Sequence, residues 1–471
     1  MHTQAPTPPA SDVERADHGA ASVVPDRLPR SLGVWSAAAV LVGSTIGSGI
    51  FRVMGGDNGV ADRVGTVGAI GLIWLVGALV ALVGALTIAE LAAMFPRSGG
   101  IYVFLREAYG PLPAFLFGWT ELLVIRPSAL GAIAVIFAEY ANRLLGFGQP
   151  GVRWVAAGTL ALLAAANLRS VTWGAVVQNL STAAKVAGIV GLAVLGFLLG
   201  DGSAGALAAG PMDLAPLSWV GFGLALVSVM WAYDGWADLT FVAGEVKDPG
   251  RTMPRAIIGG VLAIVAIYLA VNLAYLFLLT IPEMTRSPLV ASDAAQKIFG
   301  VAGASVVAAV VMVSTFGATN GSMMTGPRIF YAMAEDGNFF RPIAAVHPRW
   351  KTPYAAILLA AALGIGYVLV RNFQQLADAF ILGIWPFYAL AVGAVYILRR
   401  SRPDAPRPYR TWGYPVVPAV FLVASVAMLL NSAVNSARDT LIGFGVILAG
   451  IPAYYLWRAV SGRPGEPLRD R

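Results

Sequence analysis

Twelve stretches of this chain are apolar over the length of a bilayer crossing, and no other property narrows its fold as far. About 20 residues rising ~1.5 Å each cross a hydrocarbon layer of ~30 Å. By that ruler the spans fall at 33–56, 66–95, 111–142, 152–168, 177–200, 217–243, 255–281, 298–333, 353–371, 376–398, 414–433 and 438–459. Hydrophobic residues make up 58% of the 471, and charged residues only 12%. That is more apolar surface than a water-soluble core of this size buries. A lipid solvent removes the conflict, because a helix bonds its own backbone there. The expected fold class is an all-α membrane protein.

Basic residues set the orientation. With the N-terminus in the cytoplasm, about 22 of the 32 Lys and Arg residues lie on cytoplasmic segments and about 8 on external ones; Arg126 and Lys185 lie within spans. Both termini are therefore expected in the cytoplasm, and the net charge of +7 calls for no nucleic acid. The stretch 1–31, rich in Pro, Ala, Asp and Arg, is expected to be a disordered tail. The length of the first apolar run argues against a cleaved signal peptide. Cysteine is absent, so neither a disulfide nor a thiolate metal site can form. His2, His18 and His347 fall outside the spans, and no nucleophile is paired with a base. No metal, no cofactor and no enzymatic activity are expected. A substrate sensor would carry a cytosolic output domain, for which the polar tails are short.

Two spans contain residues that disfavour helix at mid-depth. The stretch "AAAVLVGSTIGSGIF", Ala37 to Phe51, holds Gly43, Gly47 and Gly49, each costing up to ~1 kcal/mol relative to Ala. Close helix packing explains them. So does an unwound segment, whose free N–H and C=O groups must line a cavity or bind something. The stretch "VMWAYDGWADL", Val229 to Leu239, places Asp234 and Gly235 at the same depth, where a charge is functional or paired. The two interruptions lie five spans apart, each first in a run of five. That spacing marks an inverted repeat of discontinuous helices around a central site. The repeats would be 32–200 and 217–398, followed by peripheral helices at 413–459 and a tail at 460–471. A half-helix starting near Gly49 presents N–H groups; those ending near Thr45 and Trp231 present carbonyls. An α-amino acid zwitterion fits such a pair, through charge-assisted hydrogen bonds of ~1.5–3 kcal/mol each.

The segments "VGSTIGSGIF", "PRSGGIYVFLREAYGPLPAFLFGWTELLVIRPS", "WAYDGW…GEVKDPGRTMPRAI" and "STFGATNGSMMTGPRIFYAMAEDG" resemble the L-amino acid transporter (LAT) family of the amino acid–polyamine–organocation superfamily. The resemblance runs from about Leu32 to Trp457. It implies the LeuT-type fold: twelve transmembrane helices, a 5+5 inverted repeat with broken helices 1 and 6, and alternating access. It implies that Thr45, Ile46, Ser48, Gly49 and the Ile50 amide surround the substrate carboxylate, and that carbonyls of Trp231, Ala232 and Asp234, beside Gly235, hold the amine. Trp231 would be the lid; the family typically has Phe there, and the larger ring leaves less room for a bulky substrate. Ser128, Ala132 and Ile133 would line the side-chain pocket. Trp385 would either flank that pocket or simply pack.

Lys185 matches the family's fifth-span lysine, which stands where sodium-coupled relatives hold an ion. Its implied partners are the Gly47 carbonyl and Ser314, with Thr315 beside them; snorkelling to the interface is the alternative. Two unit charges ~4 Å apart repel by ~4 kcal/mol at a dielectric of ~20, roughly three decades in affinity. Sodium-independent transport is therefore expected. Exchange of neutral L-amino acids is the expected activity, with proton-coupled symport or uniport as alternatives. Eukaryotic members often join a single-span glycoprotein through a disulfide, which a chain without cysteine cannot do. That fits a stand-alone prokaryotic member of the cytoplasmic membrane. Glu90, Glu121, Arg126 and Asp234 also lie within spans. Arg126, beside Pro127, is expected to pair with Glu121 or Asp234. Glu245, Lys247 and Arg251 would form either part of an inner gate or a solvated loop.

Overall fold

The computed structural model describes residues 30–461, apart from 170–171, 211, 215–217, 336, 338 and 351. The expected tail at 1–31 thus lies outside the described residues up to position 29, and that at 460–471 from position 462 onward. Among the described residues the elements are helices, joined by loops and by one isolated bridge between Leu32 and Val246. Among the described residues, ten helical segments are long and apolar enough to cross a membrane. Two shorter apolar helices, Ala183–Leu199 and Tyr354–Val370, lie at the expected fifth and ninth spans. The chain is an all-helical, multi-pass membrane protein.

The first expected span divides into α1 (Val34–Thr45) and α2 (Gly49–Arg52). Then come α3 (Val67–Met94), α4 (Ile101–Tyr109), α5 (Pro111–Thr120), α6 (Arg126–Leu145), α7 (Gln149–Arg169) and α8 (Thr172–Leu199). The sixth expected span is α9 (Trp219–Tyr233), a break, and a 3₁₀ segment, Asp238–Glu245. It is followed by α10 (Pro249–Leu278), α11 (Val290–Glu335), α12 (Tyr354–Val370), α13 (Phe373–Ser401), α14 (Val416–Asn435) and α15 (Ala437–Ser461). α11 is not one rod. Gly300, at φ +65° and ψ −158°, turns the chain, so the expected span at 298–333 corresponds to 301–335. Burial grades from centre to rim: 61% of the apolar window of α3 is buried, against 28% for α14 and 22% for Thr440–Ala459. The last two helices therefore lean on the bundle and give most of their surface to lipid.

Between α5 and α6 the chain makes a π-helical turn, Glu121–Ile125. Pro127, just beyond it, has no N–H, so the Leu123 carbonyl four residues earlier loses its helical donor. The Tyr367 hydroxyl of α12 donates to that carbonyl at 2.8 Å.

One buried carboxylate ties the α13–α14 loop to the bundle. Glu90 of α3 accepts from Arg399 Nε at 3.0 Å, from Arg399 Nη2 at 2.6 Å and from the Thr411 N–H at 2.6 Å. Arg407 lies 3.5 Å away and caps α13 by donating to the Leu398 and Arg402 carbonyls. A second cluster joins α4 to the end of α13: Glu107 pairs with Arg97 and Arg402, whose side chains are 53% and 45% exposed. Burial pushes Glu107 up, but its hydrogen bonds to Arg402 and Arg97 outweigh that and hold it below the ordinary carboxylate range. Its contribution is therefore present at neutral pH and is lost as pH falls through that lowered value.

Removing one partner of a buried pair costs about 3–5 kcal/mol, whereas exposed pairs contribute about 0–1 kcal/mol. Glu90→Ala is expected to lower the thermal midpoint in detergent well beyond Glu107→Ala. Equal losses in a thermal-shift comparison would contradict this ranking.

Candidate functional site

The two interruptions meet at the centre of the bundle, and tracing their backbone groups one at a time shows how. In α1 the Ile46 N–H still bonds the Val42 carbonyl at 2.8 Å. The Gly47 N–H then turns aside to the Thr45 carbonyl at 2.7 Å. In a continuous helix it would have bonded Gly43. The Gly43 carbonyl is thereby freed, and the buried Lys185 ammonium of α8 donates to it. The Thr45 carbonyl loses Gly49 as its helical donor and receives the Tyr268 hydroxyl of α10 at 2.9 Å. The same hydroxyl lies 2.9 Å from the Ala232 carbonyl. One phenol proton is shared between the two broken helices.

The glycines let these segments touch. A Cβ on Gly49 would come within 2.6 Å of Ala232 Cα. Gly235 has φ +107°, and a Cβ there would come within 2.9 Å of Thr45 N and Cα. Each break thus fits into the glycine of the other. The two explanations of the opening stretch, close packing and unwinding, both hold in the same residues.

The residues predicted for the first break, Thr45, Ile46, Ser48, Gly49 and Ile50, are buried. The Thr45 hydroxyl bonds back to the Leu41 carbonyl at 3.0 Å, while the first N–H groups of α2, those of Gly49 and Ile50, have no carbonyl one turn before them. Trp231 presents its ring edge-on to Phe380, 5.0 Å between centroids, and to Phe373, 6.1 Å. Arg52 lies over the other side of this group, 5.0 Å from the Phe373 ring, and pairs with Glu139 of α6 at 3.0 Å. Ser128 and Ala132 are buried on α6, and the Ser128 hydroxyl has no hydrogen-bond partner; Ile133 is partly exposed.

Several expectations are corrected. Lys185 bonds the Gly43 carbonyl rather than that of Gly47, because Gly43 is the residue whose helical donor turned away. Ser314 is buried with its hydroxyl unpartnered. The Thr315 hydroxyl bonds back to its own helix, to the Val311 carbonyl at 2.7 Å. α9 ends at Tyr233, two residues beyond Trp231. The Trp231 carbonyl faces the Asp234 N–H at 3.4 Å, and that of Ala232 faces Tyr268. Trp385, expected either to flank the pocket or to pack, stacks on Phe421 at 5.6 Å and meets Tyr388 at 5.7 Å. Of the loop residues, Glu245 contributes its backbone: its carbonyl accepts the Ser31 and Leu32 N–H groups, and the Lys247 N–H returns to Leu32, each at 2.9 Å.

Four further intramembrane charges, Glu121, Arg126, Asp234 and Asp238, lie near one another. Arg126 pairs with Glu121 and donates to Ser322 of α11 at 2.8 Å. Asp234 accepts the Tyr388 hydroxyl of α13 at 3.0 Å. Asp238 lies near Ser44 and Arg126. The sequence reading missed Tyr268, Asp238 and the Arg52–Glu139 pair. The two acids were within reach, since both lie inside expected spans. A mid-span tyrosine carries no comparable mark.

A family model described as amino acid permease matches residues 32–454. The chain is 32% identical over 431 residues to the serine/threonine exchanger SteT of Bacillus subtilis, covering 91% of this chain and 97% of that one. It is 32% identical over 443 residues to the human b(0,+)-type amino acid transporter 1, covering 91% and 88%. It is 31% identical over 461 residues to the rabbit (Oryctolagus cuniculus) large neutral amino acids transporter small subunit 2, covering 95% and 83%.

Tyr268→Phe removes the shared proton, which leaves the Ala232 carbonyl without that donor and the Thr45 carbonyl with the Gly47 N–H alone, at about 1–3 kcal/mol. Amide exchange at residues 45–50 and 232–238 is expected to accelerate while the outer helices keep their protection. Unchanged exchange at both breaks would contradict the bridging role.

Proposed function

The chain belongs to the amino acid permease family, and from that premise we propose that it exchanges small neutral L-amino acids across the cytoplasmic membrane by alternating access. The observation that carries this reading is the junction itself: two broken helices packed backbone to backbone, with N–H groups on one and carbonyls on the other. The substrate carboxylate is proposed to meet the Gly49 and Ile50 N–H groups, flanked by Thr45, Ile46 and Ser48. Its amine is proposed to meet carbonyls of the second break, next to Asp234 and Gly235. Trp231 is the proposed lid, with Ser128, Ala132 and Ile133 facing the side chain.

The finer architecture belongs to the same proposal. It comprises twelve crossings in a LeuT-type arrangement, repeats at 32–200 and 217–398, and peripheral helices at 413–459, with both termini in the cytoplasm. Transport is proposed to be independent of sodium. A Lys185 ammonium already bonded to the freed Gly43 carbonyl supports that, with the unpartnered Ser314 and neighbouring Thr315 on α11, which packs against α8. A heavy subunit linked by disulfide is not part of the proposal, since the chain has no cysteine.

Purified protein in liposomes preloaded with L-serine is expected to release it only when an amino acid is present outside, equally in sodium and in choline. Release into empty buffer would indicate a uniporter, and sodium-driven accumulation would overturn the Lys185 assignment. A second variant tests the lid. A change of ring size in an apolar pocket is worth about 1–3 kcal/mol. Trp231→Phe is therefore expected to shift kcat/KM towards larger neutral substrates by about tenfold relative to serine. A preference that does not move would place the lid elsewhere.

A further inference from the structure

Away from the junction, the outer surface of the bundle carries an apolar groove of about 530 Å³ between α3 and α14. Leu79 and Val80 of α3 line it, as do Ala419 and Val423 of α14. Tyr396 of α13 is the single polar side chain in the lining, and its hydroxyl donates to the Pro415 carbonyl. Along α14 the lining runs from Pro415 to Ala424, a rise of about 14 Å. That is close to half of a ~30 Å hydrocarbon layer. The groove is therefore one leaflet deep. Val423, Val416 and Leu79 are exposed along it, so it opens sideways to lipid.

The Pro415 end carries the marks of a membrane boundary, where aromatic and basic side chains collect. The Tyr396 and Tyr414 rings lie 5.3 Å apart, Arg399 lies 3.8 Å from the Tyr414 ring, and Trp412 is 76% exposed. The arginines here form two sets. Arg399 and Arg407 are held by Glu90, and Arg402 is held by Glu107. Arg400 and Arg410 are exposed and make no ion pair among the described residues. Arg400 stands one turn beyond Tyr396, on the face of α13 that closes the groove. Asp404, the one acid of the 402–415 loop, is also exposed and pairs with neither arginine.

We propose that this groove holds one chain of an anionic phospholipid, with the lipid phosphate at Arg400 and Arg410. Chain packing alone selects no occupant, because the surrounding lipid tails are as apolar as the groove. A net negative head group beside two unpaired guanidiniums does select one. Phosphatidylcholine has the same phosphate, but its choline cation brings the net charge to zero. A lipid seated here touches α3, α13 and α14 together. Because it binds the folded bundle only, it raises the stability of that bundle.

Native mass spectrometry of the full-length protein in detergent tests this, with dioleoyl phosphatidylglycerol and dioleoyl phosphatidylcholine as the probes. An arginine at a membrane surface contributes about fivefold to anionic lipid affinity. One phosphatidylglycerol is expected to bind the wild type at least ~5-fold better than phosphatidylcholine does, and to raise the thermal midpoint more. Arg400→Gln combined with Arg410→Gln is expected to erase that preference and keep the weaker binding common to both lipids. Ala419→Leu fills the groove and is expected to weaken both lipids alike. Val423→Trp, at a more exposed position, serves the same end should Ala419→Leu fail to fold. Equal binding of the two lipids by the wild type, or a preference that survives loss of both arginines, overturns the head-group site. Undiminished binding in a folded groove variant overturns the chain site. A second copy of this chain is the competing occupant, and the absence of cysteine makes Val423→Cys a clean probe for it. Disulfide-linked dimers of that variant in phosphatidylglycerol vesicles would seat protein rather than lipid in the groove and overturn the proposal.

Discussion

A backbone carbonyl without a donor is hard to place where water is excluded, and the centre of this bundle is arranged around four of them. Gly43, Thr45 and Ala232 lose their helical donors at the two breaks, Thr45 keeping only the Gly47 N–H, and Leu123 loses its own to Pro127. Each is met by one side chain from a helix distant in sequence: Lys185, Tyr268 for two carbonyls, and Tyr367. These contacts do more than satisfy valence. They tie α8, α10 and α12 to the irregular segments. The reciprocal glycine contacts add the steric half, since neither break can shift without moving the other.

Charge inside the bundle serves two distinct ends. Glu90, with Arg399 and the Thr411 N–H, anchors a loop and is fully paired. Arg52 and Glu139 form a column with Phe373 and Trp231 that covers the junction on the proposed external side. On the opposite side the Leu32–Val246 bridge fastens the chain before α1 to the end of the 3₁₀ segment. Alternating access would require these peripheral closures to open in turn, as hinge movements of one group of helices against another do. Both closures rest on a few polar contacts and ring edges.

Much of this was legible in the sequence. Bilayer-length apolar runs specified membrane helices, since only self-bonded backbone is stable in lipid. The density of Gly, Ser and Thr at Gly43–Gly49, and Asp234–Gly235 at equal depth five spans later, marked both interruptions to within two residues. Arg126 announced a partner simply by being charged in a span, and it pairs with Glu121 as one of the two acids expected.

What the linear chain could not specify was which distant group meets which freed one. The Gly43 carbonyl, rather than that of Gly47, receives Lys185 because a single N–H turned back by two residues. Tyr268 reads in sequence like any aromatic in an apolar helix, and only the approach of α10 to both breaks makes its hydroxyl a bridge. Trp385 and Trp231 are the same residue type in similar surroundings, yet one stacks into packing against α14 and the other stands beside the junction. Composition and local pattern determined by themselves that this chain lives in lipid, where its helices run and where two of them break, because those follow from transfer energies and propensities of neighbouring residues. The pairing of carbonyls, hydroxyls and charges was decided only by tertiary structure, because most such bonds depend on ångström-scale placement of groups far apart in the chain, 142 residues for Lys185 and Gly43 and 223 for Tyr268 and Thr45.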